Sequence, residues 1–217
     1  MNRTALRRLG AISTAAVLAI ALSGCGIFGG KGGPKTPTVG NRVPILSRIE
    51  AGTRVDPSPY SFGGVYFGAD VPQLKYRPDE MKIVIRLSQC ARNDNGKILW
   101  QLAHECLHLL SPVRLWTTML EEGLACWYQL RWTQICPQLF TENFLSPETA
   151  FGGRTHKYFE AYSMVDEILK HDQDSIKRIR TTQPIISKIT PSQLVSEITR
   201  LDVPTAKKLS SRFSKKH

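Results

Sequence analysis

The chain contains no apolar run long enough to cross a bilayer comfortably, a span that needs about 20 residues. It contains no internal repeat, which excludes repeat architectures. No run of Lys and Arg is interleaved with aromatic residues, so nucleic acid is not implied as a partner. Acidic residues are missing altogether before Cys25. There Arg3, Arg7 and Arg8 precede an uncharged apolar run from about Ala11 to Leu22. A positive start, a short apolar run and small residues after it make an export signal rather than a membrane span. What is present is otherwise ordinary: 217 residues, 41% hydrophobic and 22% charged. Such values belong to a globular protein, with one domain expected at this length and enough chain to bury a core.

Leu22-Ser23-Gly24-Cys25 resembles the bacterial lipobox, an aliphatic residue, a small one, Gly or Ala, then Cys. The resemblance implies cleavage before Cys25 and acylation of its thiol, each buried methylene contributing roughly 0.8 kcal/mol to anchoring. Gly26 rather than Asp follows, which points to the outer membrane, facing the periplasm, in a Gram-negative cell. The expected organisation is a signal peptide over residues 1–24, a lipid anchor and tether over 25–42, and a folded domain over 43–217. Six of the fifteen residues from 26 to 40 are Gly, so the tether is flexible, with a reach of roughly 20 Å. Three arginines precede Cys25. The 29 basic and 18 acidic residues of the chain therefore become 26 and 18, or +8, after it. That balance suits anionic envelope polymers or lipid head groups, and equally a solvated surface. Four cysteines remain, Cys90, Cys106, Cys126 and Cys136. In an oxidising compartment they permit two disulfides; the alternative is buried thiols.

Residues 41 to about 90 read as strand-rich. Gly63–Gly68 is a β-prone run bounded by glycines. In Met81–Leu87, Ile83, Ile85 and Leu87 share one face and Lys82, Val84 and Arg86 the other, the alternation of a strand with one buried face. A turn cluster over 92–96 leads into a helix from about Lys97 to Leu110, stopped by Pro112. Its apolar positions run most of the way round, which predicts a central, buried helix. A second helix is expected over Met119–Arg131, and further ones over 157–170, 174–180, 191–200 and 204–213. Thr190 before Pro191 fits a cap with Pro at the first helical position. Residues 133–156 read as a long irregular segment with Gly152-Gly153, and long loops in compact domains are often functional.

The chemistry concentrates in His104-Glu105-Cys106-Leu107-His108. Two imidazoles four apart lie one turn apart on one helix face and are able to share a metal. Glu105 stands about 100° round the helix from His104, beside the metal without binding it, where it can serve as general base. Cys106 is about 200° from His104 and faces away. Ionisable groups on an apolar, buried helix are costly unless a metal or a charge satisfies them. Zinc needs a third protein ligand, and Glu121 and Glu122 are the candidates. Thr118 as N-cap puts Glu121 at the third helical position, a capping box, which leaves Glu122 for the metal. Gly123 costs a helix about 1 kcal/mol relative to Ala and predicts close approach of this helix to another backbone.

His-Glu-x-x-His followed by Glu122-Gly123-Leu124-Ala125 resembles the gluzincin zinc peptidases over about residues 80–170. The resemblance implies that His104, His108 and Glu122 hold Zn2+ and that Glu105 is the general base. It also implies that the strand at 82–87 is the edge strand beside the cleft, where a substrate adds as a β-strand. A Tyr or His beyond the Glu ligand is expected to stabilise the oxyanion. Tyr158 begins a Tyr-x-x-x-Tyr-Ser-x-Val stretch and is the favoured candidate; Tyr162 and His156 are the alternatives. His171, near a helix end, and His217, at the C-terminus, carry no such signal. Trp100, Trp116, Trp127 and Trp132 are expected to pack the core, with lining of a substrate site the alternative.

The expected fold is α+β, a small mixed β-sheet packed on the His104–His108 helix with a mostly helical C-terminal half. The expected activity is zinc-dependent hydrolysis of peptide bonds in a peptide or protein substrate, at a membrane reached through the lipid anchor. The alternatives are a zinc hydrolase of another amide or ester, and a non-catalytic envelope lipoprotein that retains the fold.

Overall fold

The computed structural model describes residues 60–110, 112, 116–144 and 146–214. The expected signal peptide, the Cys25 anchor, the expected tether and His217 lie outside them. Three strands form one mixed sheet: β1 (Ser61–Ala69), β2 (Gln73–Arg77) and β3 (Lys82–Ser88), in the order β1-β3-β2. β1 runs parallel to β3, and β2 antiparallel to it. Helices follow: α1 (Asn95–His108), α2 (Met119–Ile135), the single turn α3 (Pro147–Ala150), α4 (Lys157–His171), α5 (Ser175–Thr182), α6 (Pro191–Glu197) and α7 (Val203–Ser210). The architecture is the α+β arrangement expected. Among the described residues no helix is long and apolar enough to cross a membrane.

One expectation is overturned here. The strand over Lys82–Ser88 is the central strand, and β2 is the edge strand beside the cleft. Val84, assigned to the open face, is as buried as Ile83 and Ile85. β1 closes tightly on it at Gly63, where a Cβ would lie 2.9 Å from Val84 Cγ1. Alternation reports which faces of a strand are covered; it does not report how many neighbours the strand has. In β2 the sequence Gln-Leu-Lys-Tyr-Arg half-buries Leu74 and Tyr76 and exposes Gln73 and Lys75, an edge pattern. A short hairpin through Pro78–Met81 joins it to β3, with Met81 in the left-handed region at φ 50°.

Ile85 and Leu87 share the core with Ile98, Leu99, Leu102 and Ala103 of α1, so the sheet sits on this helix. α1 starts where the Asp94 carboxylate accepts from Lys97 N at 2.9 Å. The most deeply placed helix is α2, in which every residue from Met119 to Leu130 is buried. Gly123 allows this. A Cβ there would meet Ala161 O at 2.3 Å and Val165 Cγ2 at 2.6 Å. The close approach expected at Gly123 is therefore made to α4. Two helices begin where the sequence puts them. Thr190 and Gln193 form a reciprocal capping box ahead of Pro191, and α4 runs Lys157–His171. The segment 133–156 is less irregular than expected: α2 continues to Ile135, and short turns place Phe140, Phe144 and Phe151 around Trp100.

Candidate metal centre

His104 and His108 project from α1 with ring centroids 5.1 Å apart. Glu122 reaches them from the first turn of α2. Its Oε2 lies 3.3 Å from His104 Nε2, and its Oε1 lies 3.8 Å from His108 Nε2. One ligand atom from each of the three lies within 4.8 Å of the others, an arrangement able to hold a metal ion. All three expected ligands are thus brought together.

The partners on the far side of each group decide what the near side offers. Gln129 Nε2 donates to Trp100 O at 3.0 Å. Its Oε1 is left to accept from His104 Nδ1, 3.3 Å away. Glu121 Oε1 is 2.9 Å from His108 Nδ1 and accepts its proton. With both Nδ1 atoms donating, both Nε2 lone pairs face Glu122. Thr117 Oγ1 donates to Glu122 Oε1 at 2.7 Å, fixing that carboxylate. Glu122 Oε2 is fully buried and makes no hydrogen bond. Three acceptors therefore converge on one point with no neutral donor between them, and such a point takes protons or a cation.

The electrostatics agree. Burial pushes the His108 imidazole down, but its hydrogen bond to Glu121 and the charges of Glu122, Glu121 and Glu105 outweigh it and raise its pKa to about 10. Burial likewise pushes the Glu122 carboxyl up, yet the His104 imidazole 3.3 Å away and the charge of His108 hold it down to about 2. A single divalent ion satisfies all three acceptors at once. Outer partners of this kind, which fix the tautomer and raise ligand basicity, typify metal-bound histidines.

Glu121 is a correction. Thr118 Oγ1 accepts from Glu121 N at 3.3 Å, as a cap should, but the Glu121 side chain does not return to the backbone. It is turned to His108, with Oε2 buried and unpartnered among the described residues. The hydrogen bond from a buried imidazole outcompetes the second half of the capping box.

A cleft of about 760 Å³ opens above these groups. Glu105, 4% exposed, lies in its wall, as does Tyr158 of α4. The Tyr158 ring is 6.1 Å from that of His104. Burial, and then Glu122, Cys126 and Glu105, push its phenol well above the usual range, so it stays a protonated donor. His156 also lines the cleft. It caps α4 through Nδ1, which accepts from Tyr158 N at 3.3 Å, and its ring stacks on Tyr158. Tyr162, the other candidate, faces Phe151 and Asp166 instead, its pKa raised to about 12 chiefly by burial. Cys106 is in the core, its thiol raised by burial and by Glu105, and faces away from the centre as expected. The four cysteines Cys90, Cys106, Cys126 and Cys136 are free thiols, so neither disulfide forms. His171 pairs with Glu167 at the exposed end of α4.

Sequence reasoning missed several contributors. Trp127 and Trp132 are core residues as expected, but Trp100 and Trp116 line the cleft. Gln129 and Thr117 orient ligands, and β2 forms a wall. Gln129 carried one usable signal: it stands seven residues after Glu122, on the same face of a buried helix, where a polar side chain needs a partner. No protein-family model, curated protein or solved structure matches the chain. The reading of the site therefore rests on its own geometry and on the motif residues.

Proposed function

We propose that this chain is a zinc-dependent peptidase of the cell envelope. The observation that carries the reading is the convergence of three oriented acceptors, His104 Nε2, His108 Nε2 and the Glu122 carboxylate, at the floor of an open cleft. Two imidazoles and one carboxylate are the donor set of catalytic zinc sites, which keep a fourth position open. Zinc, when bound there, supplies Lewis acidity to water and to the scissile carbonyl.

The chain's own residues do the rest. Glu105 makes no bond to the metal in this reading. Its carboxylate takes a proton from the attacking water and returns it to the leaving amine. Tyr158, kept protonated by burial and negative neighbours, donates a hydrogen bond to the developing oxyanion. The edge strand β2 offers its free side to an extended peptide, and Gln73 and Leu74 face the cleft. The lipobox residues and the tether would let the domain stand off the membrane surface.

Two measurements on one protein test this. Elemental analysis of the purified chain is expected to give one zinc, and a peptide library is expected to be cleaved. Glu105→Gln keeps the side chain's shape and removes the base. It should retain zinc while turnover falls by about 10²–10⁴-fold. Full rescue of a deletion strain by zinc-loaded Glu105→Gln protein would favour a scaffold role and overturn the catalytic reading. Cleavage of esters or other amides with no peptide cleaved would move the same site to a different substrate.

A further inference from the structure

The last described residues of the chain return to the candidate site. Residues 211–214 run antiparallel to residues 117–119. Met119 N donates to Ser211 O at 3.0 Å, Phe213 N donates to Thr117 O at 2.9 Å, and Thr118 and Arg212 form a β-bridge between them. Of residues 211–214 only Phe213 is buried. Arg212 turns outward, its guanidinium 5.5 Å from the ring of Trp116. Phe213 turns inward and is 7% exposed. It packs with Met119 and Ala161 in a small cluster separate from the main core, and its ring centroid is 4.9 Å from that of Tyr158. Lys157 Nζ lies 5.1 Å from the Phe213 ring and donates to Ser214 O at 3.0 Å.

The strap therefore grips two separate parts of the site. Its backbone holds Thr117, whose hydroxyl fixes Glu122 Oε1. Its one inward ring backs Tyr158, which stands in the first turn of α4, where a helix is held least by its own hydrogen bonds. We propose that Phe213 is a positioning residue, a buried ring that fixes Tyr158 over the metal-binding groups through the strap 211–214. Removing the ring leaves a space beside Tyr158 into which its side chain can turn, and small misplacements of a reacting group are costly. The activity arm of the test rests on the peptidase reading; the spectroscopic arm does not.

The experiment uses the whole chain carrying Phe213→Ala, Phe213→Leu, Tyr158→Phe and the double change Phe213→Ala with Tyr158→Phe. Tyr158→Phe is expected to lower kcat by about 10²–10³-fold, as loss of an oxyanion donor does. Phe213→Ala should lower kcat by about 10- to 100-fold with little change in KM and zinc still at one per chain. Phe213→Leu should restore most of that loss. The double variant should be no slower than Tyr158→Phe alone, because the ring acts only through the phenol. Fluorotyrosine labelling gives a second readout: the resonance that disappears in Tyr158→Phe should shift or broaden in Phe213→Ala. If Phe213→Ala does not fold, Phe213→Leu carries the same comparisons with smaller effects. Losses that multiply in the double variant, or a Tyr158 resonance unmoved by either Phe213 change, overturn the proposal. A wild-type chain with no hydrolase activity overturns the peptidase reading instead, and the fluorine signal then still decides whether Phe213 holds Tyr158.

Discussion

Glu121→Gln separates the two roles that adjacent acids play at the start of α2. The side chain of Glu121 makes one hydrogen bond, from His108 Nδ1 at 2.9 Å, and is 2% exposed. A hydrogen bond to a charged group contributes about 1.5–3 kcal/mol. At about 1.4 kcal/mol per factor of ten, its loss weakens metal binding by about ten- to a hundredfold, the usual scale for an outer partner of a ligand. Gln keeps an oxygen in the same place and loses the charge, so Glu121→Gln should fall near tenfold. Glu121→Ala, which leaves a buried N–H unpaired, should fall nearer a hundredfold. The helix start is not disturbed, because Thr118 caps the backbone N–H of residue 121 and any residue there supplies it. Competition with a chromogenic chelator measures the zinc affinity, and the thermal shift between chelated and zinc-loaded protein checks it. Unchanged affinity in both variants would refute the outer-partner role and return Glu121 to helix capping. Complete loss of zinc in Glu121→Gln, with retention in Glu122→Gln, would show that the wrong acid has been assigned to the metal.

Four further outcomes are expected. Zinc should be lost or much weakened in His104→Ala, His108→Ala and Glu122→Ala and retained in Cys106→Ser, whose thiol lies in the core; elemental analysis decides, and loss in Cys106→Ser would place the thiol at the metal. Zinc affinity should rise with pH: His108 holds its proton up to about 10, so binding at neutral pH displaces it, about tenfold in affinity per pH unit for one proton. Titration in buffers of differing ionisation heat counts the protons, and a count of zero at pH 7 would contradict this. In chelated protein, the stability contributed by His108 should be full below about pH 6.5, the unfolded value, and lost as pH rises through about 10, whereas that from Glu122 should be lost as pH falls through about 2; denaturant titration across pH shows the sign. Gly123→Ala gains about 1 kcal/mol of helix propensity, but its Cβ meets the backbone oxygen of Ala161 at 2.3 Å, an overpacking cost of about 1–3 kcal/mol or more, so the melting temperature should fall; a rise would mean that α2 and α4 separate freely.

Local signals carried most of the fold. The β1 glycines, the β3 strand, the Thr118 and Thr190 caps and the α4 boundaries depend on residues a few positions apart, and they appear where the sequence puts them. Failures lie where distant packing decides. β2 has no β-branched run and is a strand because β3 offers it a partner. The strand order that makes β3 central follows from the parallel return of β1, which no local pattern encodes. The stretch after Ile135 is shaped by Trp100, toward which Phe140, Phe144 and Phe151 converge from far along the chain. Tyr162 was a fair rival to Tyr158 on motif alone, four residues away on one helix; the packing of Phe151 against Tyr162 is what removes it from the cleft.

The site divides along the same line. His104 and His108 are legible because one helix turn alone brings them together. Glu121 and Glu122 are not separable by spacing, since adjacent helical residues differ by about 100° of rotation and both reach His108, one at Nδ1 and the other toward Nε2. Which acid arrives on which side is set by how α2 is turned about its own axis. That rotation is pinned by Gly123 against Ala161 on one side and by Gln129 reaching Trp100 and His104 on the other. The capping argument left Glu122 as the acid that faces both histidine Nε2 atoms by giving Glu121 another task. The task was misidentified, because the competing partner belongs to α1, thirteen residues earlier in sequence. A candidate metal site between two helices is thus specified twice: by the residue spacing within each helix, which sequence displays, and by the small residue and the buried amide that fix their mutual rotation, which only the packed structure reveals.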